Sequence, residues 1–410
     1  MPKTTIQIED PFAEPPKPAG RFALFNYGFR PFFLLAGVFG ALSVPVWVGL
    51  FAGHLDYPLH APPSVWHGHE MIFGFTTAAL AGFFLTVVPN WTKVKAQKGL
   101  ILMVLSALWL VGRLAYWGQA QLPYAWVAVL DLLFLAMLLA VVIRPLIDPQ
   151  HRRQFVFVPI LVVALAGNLL THLGVLGYEV FGLDLAQQGL MLGVDAMLVL
   201  ITVMGGRVTP SFTSSYLGHA NPGVKVRQNP SVDRAVLWLT WGVLVVDQVL
   251  VQSPWAGGLT VVAAVAHMVR FAGWQGWRTL GNPILWVLHL GYVWLMASLI
   301  FMALADFGLI RMSDALHAFA IGAIGTFTLG IMTRASLGHT GRAVRAAPLT
   351  VLAYILVTLA GVLRVGVMVF ETHTLELVMA SGVAWSLAFV CFLVVYVPIL
   401  IRPRIDGRPG

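Results

Sequence analysis

Of 410 residues, 59% are apolar or aromatic and only 10% are Asp, Glu, Lys or Arg, with a mean hydropathy of +0.83. That composition excludes a soluble globular enzyme, a disordered chain and a fibrous one, and it fills roughly twelve membrane helices of about 20 residues each. A net charge of +8 raises nucleic acid as a partner, but the basic residues recur in short loops instead of on one soluble face, so the lipid bilayer is the expected partner and nucleic acid is not.

The first 30 residues are proline-rich without an apolar core and read as a cytoplasmic tail, not a cleaved signal peptide. Predicted spans follow at 31–51, 64–88, 99–117, 123–144, 155–177 and 184–204, then, after a longer loop at 205–231, at 232–251, 254–274, 283–305, 313–335, 347–369 and 376–401. Residues 31–401 form one membrane domain and 402–410 a second short cytoplasmic tail. With the N-terminus inside, 22 of the 25 Lys and Arg fall in inner loops or tails; Arg311 is outer, and Arg113 and Arg364 lie within spans. Both termini are therefore expected to be cytoplasmic. Cys391 is the single cysteine, which removes disulfides, iron–sulfur clusters and covalent haem attachment, so any haem is held by side-chain ligation alone.

The first, fifth and ninth spans open near a proline (Pro31, Pro159, Pro283) with a glycine six to eight residues on. The second, sixth and tenth run into VVPNWT, VMGGRVTPSFT and IMTRASLGHT, and Arg113 and Arg364 occupy matching places. The pattern suggests three four-helix repeats with pseudo-threefold symmetry, an architecture similar to the catalytic subunit of haem–copper oxidases. Architecture alone assigns no chemistry.

Six of twelve histidines fall within predicted spans: His67, His69, His172, His267, His289 and His317. Ionisable groups in hydrocarbon are costly and point to function. At about 1.5 Å per residue, His67, His69, His172 and His317 share a level roughly 5–8 Å below the outer edge. His267 and His289 lie roughly 9–11 Å from the inner edge. Two levels of imidazoles suit two metal centres, since a haem takes one or two axial imidazoles and a copper site two to four nitrogens. In His67-Gly68-His69 the two rings point about 200° apart on a regular helix, which places that helix between two sites. Glu70 follows as an acceptor for an imidazole N–H or a proton carrier. Asn168, one turn before His172, is placed to orient a ring or donate to a ligand. Asp131, Asp195 and Asp247 are intramembrane carboxylates; Asp195 is a candidate proton relay, and an ion pair with Arg113 or Arg364 is the plain alternative. Arg207 in GGRVTP stands near the inner edge, where a haem propionate or a lipid headgroup would suit it.

The runs FNYGFRPFF (25–33), WHGHEMIFGF (66–75), VPNWT (88–92), GNLLTH (167–172), GGRVTPSFT (205–213), LHLGYVWL (288–295) and HAFAIGAIGTFTLGIMTRASLGHTGR (317–342) together resemble the NnrS family. Its members are bacterial inner-membrane haem- and copper-containing proteins of nitric oxide metabolism, linked to denitrification and resistance to nitrosative stress. The resemblance implies haem and copper, and carries metal-ligand positions onto His67, His69, His172, His289 and His317; His267 rests on depth alone. The preferred reading is a haem b and copper oxidoreductase that binds nitric oxide and reduces it with quinol-derived electrons. One outer centre of His67, His69, His172 and His317 would join haem iron and copper, so that two NO molecules are held adjacent. His267 and His289 would be axial ligands of an electron-relaying haem, or the copper site, while Glu70 and Asp195 deliver protons. A haem or copper transporter or chaperone, and a nitric oxide-binding protein without turnover, are the competing readings.

Overall fold

The computed structural model describes residues 22–180, 182–220 and 223–407; most of the expected N-terminal tail, and residues 408–410, lie outside the described residues. Among the described residues twelve helices follow one another: α1 Phe29–Phe51, α2 Pro63–Thr92, α3 Leu100–Trp117, α4 Tyr124–Ile147, α5 Phe157–Val175, α6 Leu185–Ala220, α7 Pro230–Val249, α8 Pro254–Ala272, α9 Pro283–Asp306, α10 Met312–His339, α11 Pro348–Gly366 and α12 Thr374–Ile401. Eleven of them are long and apolar enough to cross a membrane. The twelfth, α7, has 20 residues and carries Asp233, Arg234 and Asp247, and the expected all-α, polytopic membrane architecture holds. A two-residue hairpin, β1 Glu179–Val180 against β2 Leu183–Asp184, joins α5 to α6.

Proline marks several helix starts because its missing N–H costs nothing there. Pro230 and Pro254 stand at first helical positions behind capping side chains, Asn229 onto Ser231 N (2.9 Å) and Ser253 onto Ala256 N (3.2 Å). The two described ends meet: Ala23 N–H donates to Ile401 O (2.8 Å), and Arg30 reaches Leu400 O (2.8 Å) and Arg402 O (2.7 Å). The FNYGFR run is thus a stitch between α1 and α12, and both ends lie on one face, hereafter the terminal face.

The predicted loop at 205–231 is a correction. α6 continues through Gly205, Gly206 and Pro210 to Ala220, 36 residues in all, a length of about 54 Å against a hydrocarbon core of about 30 Å. The glycines that look like a breaker are packing positions: a side chain at Gly205 would meet Tyr292 at 3.0 Å, and one at Gly206 would collide with Arg270.

Without a hydrophobic drive between helices in lipid, close packing holds them together. α5 and α6 approach backbone to backbone, where a Cβ on Gly167 would meet Gly189 O at 2.7 Å and one on Gly174 would collide with Ala186. The centre of the bundle is α2 and α6, each 83% buried over its apolar stretch, followed by α10 at 67% and α9 at 61%. These four carry His67, His69, Asp195, His289 and His317. Both α2 and α10 contain π-helical turns, at Glu70–Thr76 and Ala318–Gly325. In α2 the displaced carbonyls find side-chain donors: Thr76 Oγ1 to Met71 O, five residues back (2.8 Å), and Trp109 Nε1 to Gly74 O (3.0 Å).

Candidate functional site

The four histidines expected at one level form two pairs, one on each side of α2. His69 and His172 meet in an enclosed polar cluster between α2, α3, α4 and α5, their ring centroids 5.1 Å apart. Asp131 Oδ2 joins them: it lies 3.2 Å from His69 Nε2 and 3.0 Å from His172 Nε2, and accepts from Asn168 Nδ2 (2.8 Å). Asn168 Oδ1 lies 2.9 Å from His69 Nε2, so Asn168 positions the ring of α2, not the neighbouring His172 on its own helix. Tyr124 Oη is 3.1 Å from His172 Nδ1, and Tyr116 lies flat on His69 at 3.8 Å. His69 and His172 are wholly buried, and His69, Asp131 and His172 offer ligand atoms within 4.8 Å of one another.

Arg113 holds this cluster together electrically. Its guanidinium pairs with both Glu70 and Asp131, while Trp117 Nε1 donates to Glu70 Oε2 and His69 Nδ1 stands 3.2 Å from Glu70 Oε1. Two glycines make this geometry reachable. A Cβ on Gly112 would press on the Asp131 backbone at 3.1 Å, and one on Gly74 would lie 3.0 Å from Arg113 Nη1. Glu70 therefore sits where an acceptor for an imidazole was expected, and Asp131 has the ion pair that the sequence offered as its plain alternative.

His67 and His317 face each other on the other side of α2. Their rings are nearly parallel (10°) with centroids 6.1 Å apart, and Trp47 stacks on His67 at 4.4 Å. His317 Nδ1 is committed to Ser313 O at 2.6 Å, which leaves Nε2 for another partner. Both rings line a cavity of about 670 Å³ with Met71, Met191 and Arg364. Asp247, Gln252 and Asp306, at the helix ends away from the terminal face, line the same cavity. Arg364 pairs with Asp314 (2.8 Å), one turn before His317, as Arg113 pairs with Glu70 beside His69. Arg311, just outside α10, also bonds Asp314 (2.8 Å), and that contact raises its already high pKa. Gly68 lines the same cavity beside Leu190, which a Cβ on Gly68 would meet at 3.0 Å.

The second level is nearer the terminal face. His267 Nδ1 bonds Tyr292 Oη (2.8 Å) and its Nε2 lies 3.2 Å from Thr240 Oγ1. His289 Nε2 bonds Thr213 Oγ1 (2.8 Å), and its Nδ1 is buried without a partner among the described residues. The two imidazoles face different partners, with Phe271 touching His289 and stacking on Tyr292. Asp195 on α6 accepts from Gln248 Nε2 (2.9 Å), and its Oδ1 is buried without a partner among the described residues. It interacts with Asp247 and Asp306, which line the large cavity, and is not itself a lining residue. Arg207 lies exposed near the terminal face, bonded to Arg153 O (2.9 Å) with its guanidinium over Phe157. Its surroundings are those of an interfacial anchor.

Sequence reasoning passed over Tyr116, Tyr124, Trp47, Thr213, Thr240 and Tyr292, all of which touch a candidate histidine. Tyr116 had one signal, lying three residues after Arg113 on the same helical face; the aromatic wealth of the chain hides the others.

Comparison with curated proteins finds no significant match. The model of the NnrS protein family matches residues 23–404. That match spans both histidine pairs, the Arg113 cluster and the stitched ends, and the chain belongs to the NnrS family.

Proposed function

We propose that the chain binds haem b in the large cavity between His67 and His317 and copper at His69, Asp131 and His172, and that it reduces nitric oxide with quinol-derived electrons. Membership of the NnrS family supports a role in nitric oxide metabolism. The observation that carries the finer reading is the facing pair, His67 and His317, 6.1 Å apart and nearly parallel. His67 and His317 would supply imidazole nitrogens to the haem iron, His317 through the Nε2 that its Ser313 contact leaves unengaged. The cavity volume of about 670 Å³ lies in the range of cofactor sites, about 300–1,000 Å³. At the second site His69, Asp131 and His172, whose ligand atoms lie within 4.8 Å of one another, would hold the copper.

Haem and copper would supply the electron transfer to nitric oxide, in the balance 2 NO + 2 e⁻ + 2 H⁺ giving N₂O and water. The chain's own residues do the rest. Trp47 and Tyr116 fix the rings of His67 and His69, Ser313 O and Tyr124 Oη fix those of His317 and His172, and the apolar walls exclude water. Glu70, a carboxylate held by Arg113, would take up a proton through its contact with His69 Nδ1, and Asp195, beside Asp247 and Asp306, would hold one for the large cavity. His267 and His289, each hydrogen-bonded to a threonine, would be ligands of a further haem that relays electrons from the terminal face. That face is cytoplasmic, from its Lys and Arg content, and the membrane is the bacterial inner membrane.

Optical spectra and iron and copper counts on the pure protein test this. His317→Ala and His67→Ala are expected to lose haem and keep copper, whereas His172→Ala loses copper and keeps haem. Loss of the same centre in His67→Ala and His172→Ala refutes the assignment, and absence of turnover in a metal-replete preparation with any quinol refutes the reductase.

A further inference from the structure

A second, smaller cavity of about 90 Å³ lies between α1, α2, α6 and α10. Phe33, Ala79, Met197, Gly205 and Phe327 line it, and its polar groups are sparse: of its two threonine hydroxyls, Thr76 Oγ1 is already bonded to Met71 O at 2.8 Å. A buried water needs two to four polar partners, and apolar cavities without them stay dry and take up xenon or small hydrocarbons. Thr76 and Ile324 line this cavity and also the large one that holds His67 and His317. The two spaces therefore share a wall. That wall is built from the π-helical turns of α2 and α10, since Thr76 closes one and Ile324 belongs to the other. On the opposite side the cavity is bounded by half-buried Phe83, Leu200, Thr328 and Ile331. Thr328 is close to the midpoint of α10, at the level of the hydrocarbon core.

We propose that this cavity is a binding site for small uncharged gas molecules, and the passage by which nitric oxide moves from the bilayer interior to the His67–His317 cavity. The passage rests on the nitric oxide reading of the large cavity; the gas site does not. Nitric oxide is small, uncharged and weakly hydrated, so it leaves water for hydrocarbon, and an entrance at mid-membrane meets it where it is concentrated. Entry from the side also leaves the polar end of the large cavity, with Asp247, Gln252 and Asp306, free for water and protons.

Crystals pressurised with xenon are expected to show one xenon among Phe33, Ala79, Met197 and Gly205. Ala79→Phe, and the milder Ala79→Leu if the first does not fold, should abolish that xenon. In metal-loaded protein reconstituted in liposomes, the same variants should slow nitric oxide binding several-fold while leaving metal content and the final nitric oxide-bound spectrum unchanged. No xenon in the unaltered protein, or ordered water or an acyl chain in its place, overturns the gas site. An unchanged binding rate in both variants overturns the passage. A protein that takes up xenon but whose spectrum never responds to nitric oxide keeps the gas site and defeats the proposed function instead.

Discussion

Arg113 holds two carboxylates with one guanidinium in a place almost closed to water, and removing it leaves Glu70 and Asp131 charged and uncompensated. Breaking a buried pair by deleting one partner costs about 3–5 kcal/mol, mostly the penalty of the stranded charge. Arg113→Leu is expected to lose stability of about that size in denaturant unfolding in detergent, and the triple variant adding Glu70→Gln and Asp131→Asn should recover most of it. If Arg113→Leu alone is as stable as the unaltered protein, the cluster is not the electrostatic unit described here. The sequence made these residues conspicuous because charge is rare in an apolar chain. It left open which of Arg113 and Arg364 would serve Asp131, because only packing through Gly112 decides that.

Helix starts and apolar runs are local, so the positions of all twelve helices were legible, whereas the ends of α6 and the π-helical turns were not. Gly205, Gly206 and Pro210 look like a terminator until Tyr292, Phe327 and Arg270 are seen to occupy the space a side chain would need. A π-turn adds one residue without altering hydropathy. Its effect is rotational: it resets the face on which every later side chain emerges, so depths along a helix and the opposite facing of His67 and His69 could be read, but which of His172 and His317 joins each could not. Deleting Gly322 from the π-helical turn of α10 would restore regular winding and swing His317 by about 100° relative to the rest of the helix. The expected result is loss of the haem spectrum with unchanged far-ultraviolet circular dichroism; retention of haem would show that the turn does not aim His317.

Across the whole molecule, α2 with Glu70 and Arg113 has a counterpart in α10 with Asp314 and Arg364, each a histidine helix with a π-turn and a carboxylate paired to an arginine on the next helix. The third expected copy departs from this, since α7 offers Asp247 where the others have arginine. The proposed orientation, with the terminal face cytoplasmic, is testable: Glu179→Cys, in the hairpin, should react with a membrane-impermeant thiol reagent from outside the cell, and Lys95→Cys should not, both in a Cys391→Ser background. Reversal would overturn the placement of the terminal face in the cytoplasm. The thinness of α2 has a last consequence. His67 and His69 are separated by Gly68 alone, so the two imidazoles are joined by a continuous covalent path of about ten bonds through a wall about 10 Å across. Centres held on the two sides of α2 as proposed would exchange electrons over that distance faster than turnover of about 10 s⁻¹, so on rapid reduction of the metal-loaded protein the signals of both should change with one rate; two separate rates would overturn that link.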